Sequence, residues 1–271
     1  MSPQHRPEGD AIHELFTGID PDQRHYLLNP PLSVLDGLGG AATTTGTSLP
    51  PLRILAQNDT LYETRHRFPL GSRLQELIDD GQVTLRKSPV DQNTTALVSD
   101  TELTTFVVIG DLIEWFRPAE SGDPPGLFAE LDELWDDSER YSLRTPPLAP
   151  TLDAARERLG DSFADRFTRA VEWDDELSDP TEFHAIRAAV VIGAAEEQLH
   201  YDVSKWGENA GVASKASFSR HKGDFEEGGL VRTEKVAVDM GRPRQRLFLT
   251  EEYRDLLDQE GLDALLAAAM E

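Results

Sequence analysis

Apolar residues in the first part of the chain fall into short runs separated by helical stretches: Tyr26-Leu27-Leu28, then 32–38, then Leu52-Arg53-Ile54-Leu55, then a helical stretch to Asp80. That order is a βαβα rhythm. Further strands are predicted at 83–86, 96–98 and 106–109, the last two close enough to pair as a hairpin through 99–103. A mixed sheet of about five strands with helices on its faces would bury these runs.

From 117 to 150 the prolines (118, 124, 125, 146, 147 and 150) cluster around one acidic helical stretch, 126–139. A single helix is predicted over 152–171, because Leu152, Ala155, Leu159, Phe163, Phe167 and Ala170 recur at helical spacing. Its stripe needs a partner, either another protomer or the rest of the same one. Residues 181–250 then read helix, helix, helix, strand, turn, strand, the order of a winged helix-turn-helix. The first helix spans 181–200, with Thr181 as cap and Ile186, Val190, Ala194 and Leu199 inward. The second spans 203–210 around Trp206, and Gly211 permits the turn. The third, the recognition-helix candidate, starts at the N-cap Ser214 and runs to Gly228-Gly229. Phe218 and Phe225 anchor it inward, leaving Lys215, Ser217, Ser219, Arg220 and Lys222 toward solvent. A wing follows, with strands from Leu230 to Val238 and from Gln245 to Leu249 and its tip at 239–244. The expected fold is therefore α/β with a mixed-sheet N-terminal domain, plus a mainly α winged helix-turn-helix. Its parts are a sensor or oligomerisation domain (1–117), a proline-rich linker with connecting helices (118–180), and a DNA-binding domain with a C-terminal helix (181–271).

Charge first argues against a nucleic-acid partner, since 26 Lys and Arg face 50 Asp and Glu, a net charge of -24. Yet 21 of the basic residues are Arg and five are Lys, in a chain acidic from end to end. That pattern fits a protein adapted to molar salt, where screening within about 3 Å removes long-range repulsion; an ordinary acidic protein is the other reading. Distribution then matters more than the total. Between Lys205 and Arg246, nine basic residues stand against six acidic ones, a net of +3, leaving -27 elsewhere, and four of the five lysines lie in this segment. A local reversal of sign implies a polyanion contact. The DNA-binding candidates are Lys205, Ser214, Lys215, Ser217, Ser219, Arg220 and Lys222, with Arg242, Arg244 and Arg246 on the wing. A winged helix used only for protein docking would have no reason to keep basic residues on both helix and wing.

The run KWGENAGVASKASFSRHKGDFEEGGLVRTEKVAVDMGRPRQRLFLT, behind an α/β domain containing LRILAQND and FVVIGDLIEWF, resembles the haloarchaeal regulators called TbsP over most of the chain. The resemblance implies a halophilic archaeal transcription regulator that controls central carbon metabolism.

Other chemistry finds little footing. There is no cysteine, hence no disulfide, thiolate zinc site or cysteine nucleophile. Gly37-Leu38-Gly39-Gly40-Ala41-Ala42 fits G-x-G-x-x-A, with Asp59 following a later strand, but the glycines come nine residues after Leu28 and not at a strand-to-helix turn. A Thr-rich loop to Ser48 is the expectation there. No P-loop, nucleophile elbow or H-E-x-x-H occurs, and the seven histidines lack metal-ligand spacing. Acidic pairs such as Asp136-Asp137 are expected by chance among so many carboxylates. No cofactor, metal or enzymatic activity is expected. The start MSPQHRPEGD has neither the basic residues nor the apolar core of a signal peptide, so a cytoplasmic protein without a membrane partner is expected. Arg53, Arg65, Arg67, Arg73, Arg86 and Lys87 are the basic residues available to an anionic metabolite effector, with scattered surface pairing as the alternative. A homodimer on double-stranded DNA is expected, motivated by the 152–170 stripe and by Leu256, Leu257, Leu262, Leu265 and Leu266. The rival reading is an enzyme or nucleotide-binding protein with an accessory winged helix used for docking.

Overall fold

The computed structural model describes residues 12, 15–16, 18–20, 22–45, 50–91, 94–109, 112–118, 123–174, 184–237 and 243–270. The chain divides into two compact units, one formed by 1–66 with 70–144 and the other by 67–69 with 145–271. The segment 118–180 is thus shared, its first part belonging to one unit and its second to the other.

The first unit is built on a seven-stranded mixed sheet. Strands β1 (His25–Leu28), β2 (Leu52–Ala56) and β3 (Val83–Lys87) are parallel neighbours. Helix α1 (Leu32–Thr45) connects β1 to β2, and α2 (Asn58–His66) with α3 (Phe68–Asp79) connects β2 to β3. β4 (Ala96–Val98) runs antiparallel beside β1, followed outward by β5 (Leu103–Ile109) and β6 (Leu112–Phe116). Helix α4 (Pro124–Asp137) and the short β7 (Glu139–Arg140), antiparallel to β3, complete the unit. Period-two alternation divides the side chains between two layers. Leu27, Ile54, Val83, Leu85 and Leu97 pack with Val34, Leu35, Leu38, Leu61, Leu74 and Leu77 of the connecting helices. Tyr26, Leu55, Ala96 and Val98, from the opposite face, pack under Leu131 and Trp135 of α4.

Three expectations need correction here. The sheet has seven strands, because β6 and β7 extend its two edges; β7 is held by backbone pairing with both side chains exposed, so it carries no apolar signature. The 96–98 strand pairs with β5 as expected, but β5 starts at Leu103, leaving 99–102 as the loop. The glycines at 37, 39 and 40 lie inside α1, not in a Thr-rich loop; residues 46–49 lie outside those described. Two of them allow close packing: a Cβ at Gly37 would stand 2.9 Å from Ile12 Cβ, and one at Gly39 would stand 3.1 Å from Arg73 Cβ.

In the second unit the stripe predicted as one helix forms two, α5 (Leu148–Leu159) and α6 (Asp161–Asp174), broken at Gly160 with φ +97°. Only glycine takes that backbone conformation at little cost, and the bend folds the two halves onto one another. Ala155, Leu159, Phe163, Phe167 and Ala170 are buried against residues of the same unit, as are Leu265 and Leu266. The apolar surfaces that motivated a dimer are therefore largely consumed within the unit. Helices α7 (Ala185–Ala195), α8 (His200–Asn209) and α9 (Lys215–Glu227) follow, then the antiparallel pair β8 (Val231–Val236) and β9 (Arg244–Leu249), then α10 (Glu251–Glu260) and α11 (Leu262–Met270). Every described residue of α7 except Ile186 and Arg187 is buried, making it the central helix of this unit. No helix among the described residues is long and apolar enough to cross a membrane.

Candidate nucleic-acid interface

Helices α7, α8 and α9 with the β8–β9 pair make a winged helix-turn-helix, and local chemistry explains its joints. α7 ends earlier and α8 begins earlier than the periodicity suggested: residues 196–199 form a turn with Glu197 at φ +54°, and Leu199 is the N-cap of α8, not the last inward residue of the helix before it. The proposed cap Thr181 lies outside the described residues. Gly211, at φ +82°, makes the turn between α8 and α9. The Ser214 hydroxyl accepts from the Ser217 amide at 3.1 Å and caps α9, which ends at Gly228. Close approach of α8 to α9 depends on Gly207, where a Cβ would fall 2.2 Å from Phe218 Cε2.

Phe218, Lys222 and Phe225 form the inner face of α9. This corrects the placement of Lys222: at i+4 from Phe218 it turns inward and is only 8% exposed. Its ammonium donates to Glu226 at 2.8 Å and to Gln245 at 3.2 Å, fastening the helix to β9. Burial pushes the Glu226 carboxyl up, but bonds from Lys222 and from the Thr233 hydroxyl outweigh this and hold it low. The other face presents Ser219 and Arg220, both exposed and without a hydrogen bond or ion pair to any described residue; Lys215 and Ser217 are half-buried.

The remaining cations are arranged through carboxylates. Lys205 and Lys215 lie 3.3 and 3.0 Å from Glu208, whose carboxyl is held below its usual range by hydrogen bonds from Lys215 and then Lys205. Arg246 turns back to donate to the Glu197 carbonyl at 3.0 Å, away from a free wing surface. Arg244 stacks on Tyr201, its guanidinium carbon 4.0 Å from the ring centroid, and lies 3.8 Å from Asp202. Arg242 and the rest of 238–242 fall outside the described residues, while Arg244, expected at the wing tip, opens β9. Two residues missed in the sequence belong to this surface: Tyr201, and Arg158 of α5, which donates to Asp202 at 2.7 Å. Arg158 stands outside the basic segment in sequence, so only the fold could bring it here.

Three histidines lie on or beside α9. His184, the N-cap of α7, lies 4.6 Å from His221 between ring centroids, while His200 is half-buried with its Nε2 shielded and lacking a hydrogen-bond partner. All three have pKa values lowered first by burial, with further lowering from His221 at His184, from Lys222 at His200 and from Arg220 at His221. With the folded value depressed, the unfolded chain takes up the proton first as pH falls. Their stabilising contribution is thus present above about 6.5 and declines as pH drops through the lowered folded values. At constant molar KCl the thermal midpoint should fall on acidification below that point, and His200→Gln should make the dependence shallower. Equal slopes in the two proteins would assign no role to His200.

The six basic residues proposed for an effector do not form one site. Arg53 donates to the Tyr26 hydroxyl at 2.6 Å and to Asp132 at 3.0 Å, and Arg86 stacks 4.6 Å from the Trp135 ring centroid while donating to the Trp135 and Ser138 carbonyls. Both are engaged in fastening α4. Arg73 is buried 3.9 Å from Asp36, Arg65 is exposed on α2, Lys87 is half-buried at the end of β3, and Arg67 belongs to the second unit with its Nε buried and unpartnered.

A helix-turn-helix with a basic outward helix face and a β-wing defines a DNA-binding transcription regulator. Residues 147–269 match the C-terminal helix-turn-helix domain of TbsP-like transcriptional regulators, and residues 6–146 match the N-terminal domain of the same family. The chain belongs to the TbsP-like transcriptional regulator family. No curated protein and no solved structure matches it.

Proposed function

We propose that the protein is a sequence-specific regulator of metabolic genes in a halophilic archaeon, acting on double-stranded DNA through the outward face of α9. The observation that carries this reading is the exposed, unpaired pair Ser219 and Arg220 on a helix otherwise anchored inward. Arg220 is the base-reading residue, since arginine pairs bidentately with a guanine edge and a good pair discriminates by about 1–3 kcal/mol. Arg244 and Arg242 position the duplex by its phosphates. Arg220→Ala should lower affinity and relax preference at one operator position in a binding selection; the Arg242→Ala, Arg244→Ala double variant should weaken all sequences alike. If Arg220→Ala retains both affinity and preference, the base contact lies elsewhere.

Of the two roles open to the first unit, we favour assembly over metabolite sensing, because Arg53 and Arg86 are engaged by α4. β6 is an edge strand of the described sheet, and Phe116 on it, with Val107 and Ile109 of the neighbouring β5, is exposed. A second copy pairing edge to edge about a two-fold would satisfy both features and match symmetric DNA half-sites. Light scattering in molar KCl should give the dimer mass, and Ile109→Lys should give the monomer.

A further inference from the structure

We propose that Arg158, Tyr201, Lys215 and Arg244 form a clamp for one backbone phosphate of duplex DNA; this rests on the DNA-binding reading and adds a site to it. Four elements, α5, α8, α9 and β9, bring these side chains together. Tyr201 is 40% exposed at the start of α8. Over its ring lie Arg244 at 4.0 Å, Lys215 at 5.5 Å and Arg158 at 6.0 Å from the centroid. Its hydroxyl makes no hydrogen bond with a described residue, so its O–H donor is open, on a ring that three cations approach.

Gathering like charges costs free energy unless something compensates, and here the compensation is partial. Asp202 holds Arg158 and Arg244, while Glu208 holds Lys205 and Lys215, so two carboxylates serve four cations and a positive excess remains. The two carboxylates also fix the directions of the cationic side chains, reducing the entropy to be lost when an anion docks. A phosphate fits such a set because its oxygens accept from several charged donors and a hydroxyl together. The place is also right for DNA. Lys215 opens α9 and Ser219 follows one turn later on the same face, so a phosphate seated at Tyr201 sets how α9 enters the groove without reading sequence. In molar salt such short-range contacts persist where long-range attraction is screened.

The test uses the full chain and a labelled duplex of mixed sequence, titrated by fluorescence anisotropy over a series of KCl concentrations. Arg158→Gln should weaken binding about tenfold on any sequence. The slope of log K against log salt should become shallower by about 0.9. Combining it with Arg244→Gln should lower affinity further without a second full decrement of slope, because both residues serve one phosphate. Arg158→Lys, which keeps the charge, should retain the wild-type slope, and Tyr201→Phe should lose affinity with the slope unchanged. Wild-type affinity and slope in Arg158→Gln, with Arg220→Ala still impaired, would overturn the clamp and leave the DNA-binding reading standing. A slope lost in Arg158→Lys as fully as in Arg158→Gln would show that α5 is merely perturbed, which also overturns it. Failure of the wild-type chain to bind any duplex would remove both.

Discussion

Replacing Trp206 by alanine should destabilise the second unit by about 3–5 kcal/mol, the range for deleting a buried aromatic side chain. The indole is 1% exposed, packed edge-on against Phe163 and Phe167 at 5.3 Å each, and its N–H donates to the Thr151 carbonyl at 3.1 Å. These contacts tie α8 to α5 and α6, so the change leaves a cavity and removes the indole's hydrogen bond to α5 together. A single domain is commonly stable by only about 5–15 kcal/mol, so the loss is a large share of the total. Denaturant unfolding followed by hydrogen exchange should show protection falling in α5, α6 and α8 while β1 to β4 keep theirs. A change below about 1 kcal/mol would mean that the site collapses around the missing ring, contrary to the packing described.

The second large effect is expected from adding one carbon. Gly207→Ala places a methyl group 2.2 Å from Phe218 Cε2 and 2.3 Å from Cζ, distances no pair of carbons tolerates, with Phe218 fully buried. Either the ring leaves its rotamer or α9 moves away from α8; overpacking of this kind costs about 1–3 kcal/mol. Because α9 carries Ser219 and Arg220, DNA affinity should fall more than the stability change alone accounts for. Gly223→Ala is the control: nothing lies within 4 Å of a Cβ there, and alanine favours the helix. If Gly207→Ala binds DNA like the wild type, the spacing of α8 and α9 does not govern the interface.

The recognition-helix candidate was legible in the sequence nearly to its last residue. The Ser214 cap, the Phe218 and Phe225 anchors and the Gly228-Gly229 stop act over one to three turns, and the structure places them as read. β1, β2 and β3 were legible for the same reason, since alternation and bounding turns are local properties of the chain. A stripe at helical spacing across 152–170 was equally visible, but whether Gly160 would be a helix interior or a bend was not. A glycine disfavours a helix by only about 1 kcal/mol, less than the packing of Phe163 and Phe167 against Trp206 can decide.

Side-chain partners were the main thing the sequence did not determine. Lys222 read as a solvent-facing cation because its residue type is polar; its position at i+4 from Phe218, and the acceptors Glu226 and Gln245 waiting on that side, turn it inward. Whether Arg53 and Arg86 serve an effector or pair locally was open in the sequence, and α4 decides it by laying Asp132 and Trp135 across them. Arg158 and Tyr201, 43 residues apart in the numbering of the chain, meet at 6.0 Å only because α5 and α8 pack together. Periodicity, caps and turns are written within a few residues, and so the sequence by itself determined most of the elements and the class of fold. Which charges meet is a property of distant segments, decided when burial of their apolar faces brings the elements together.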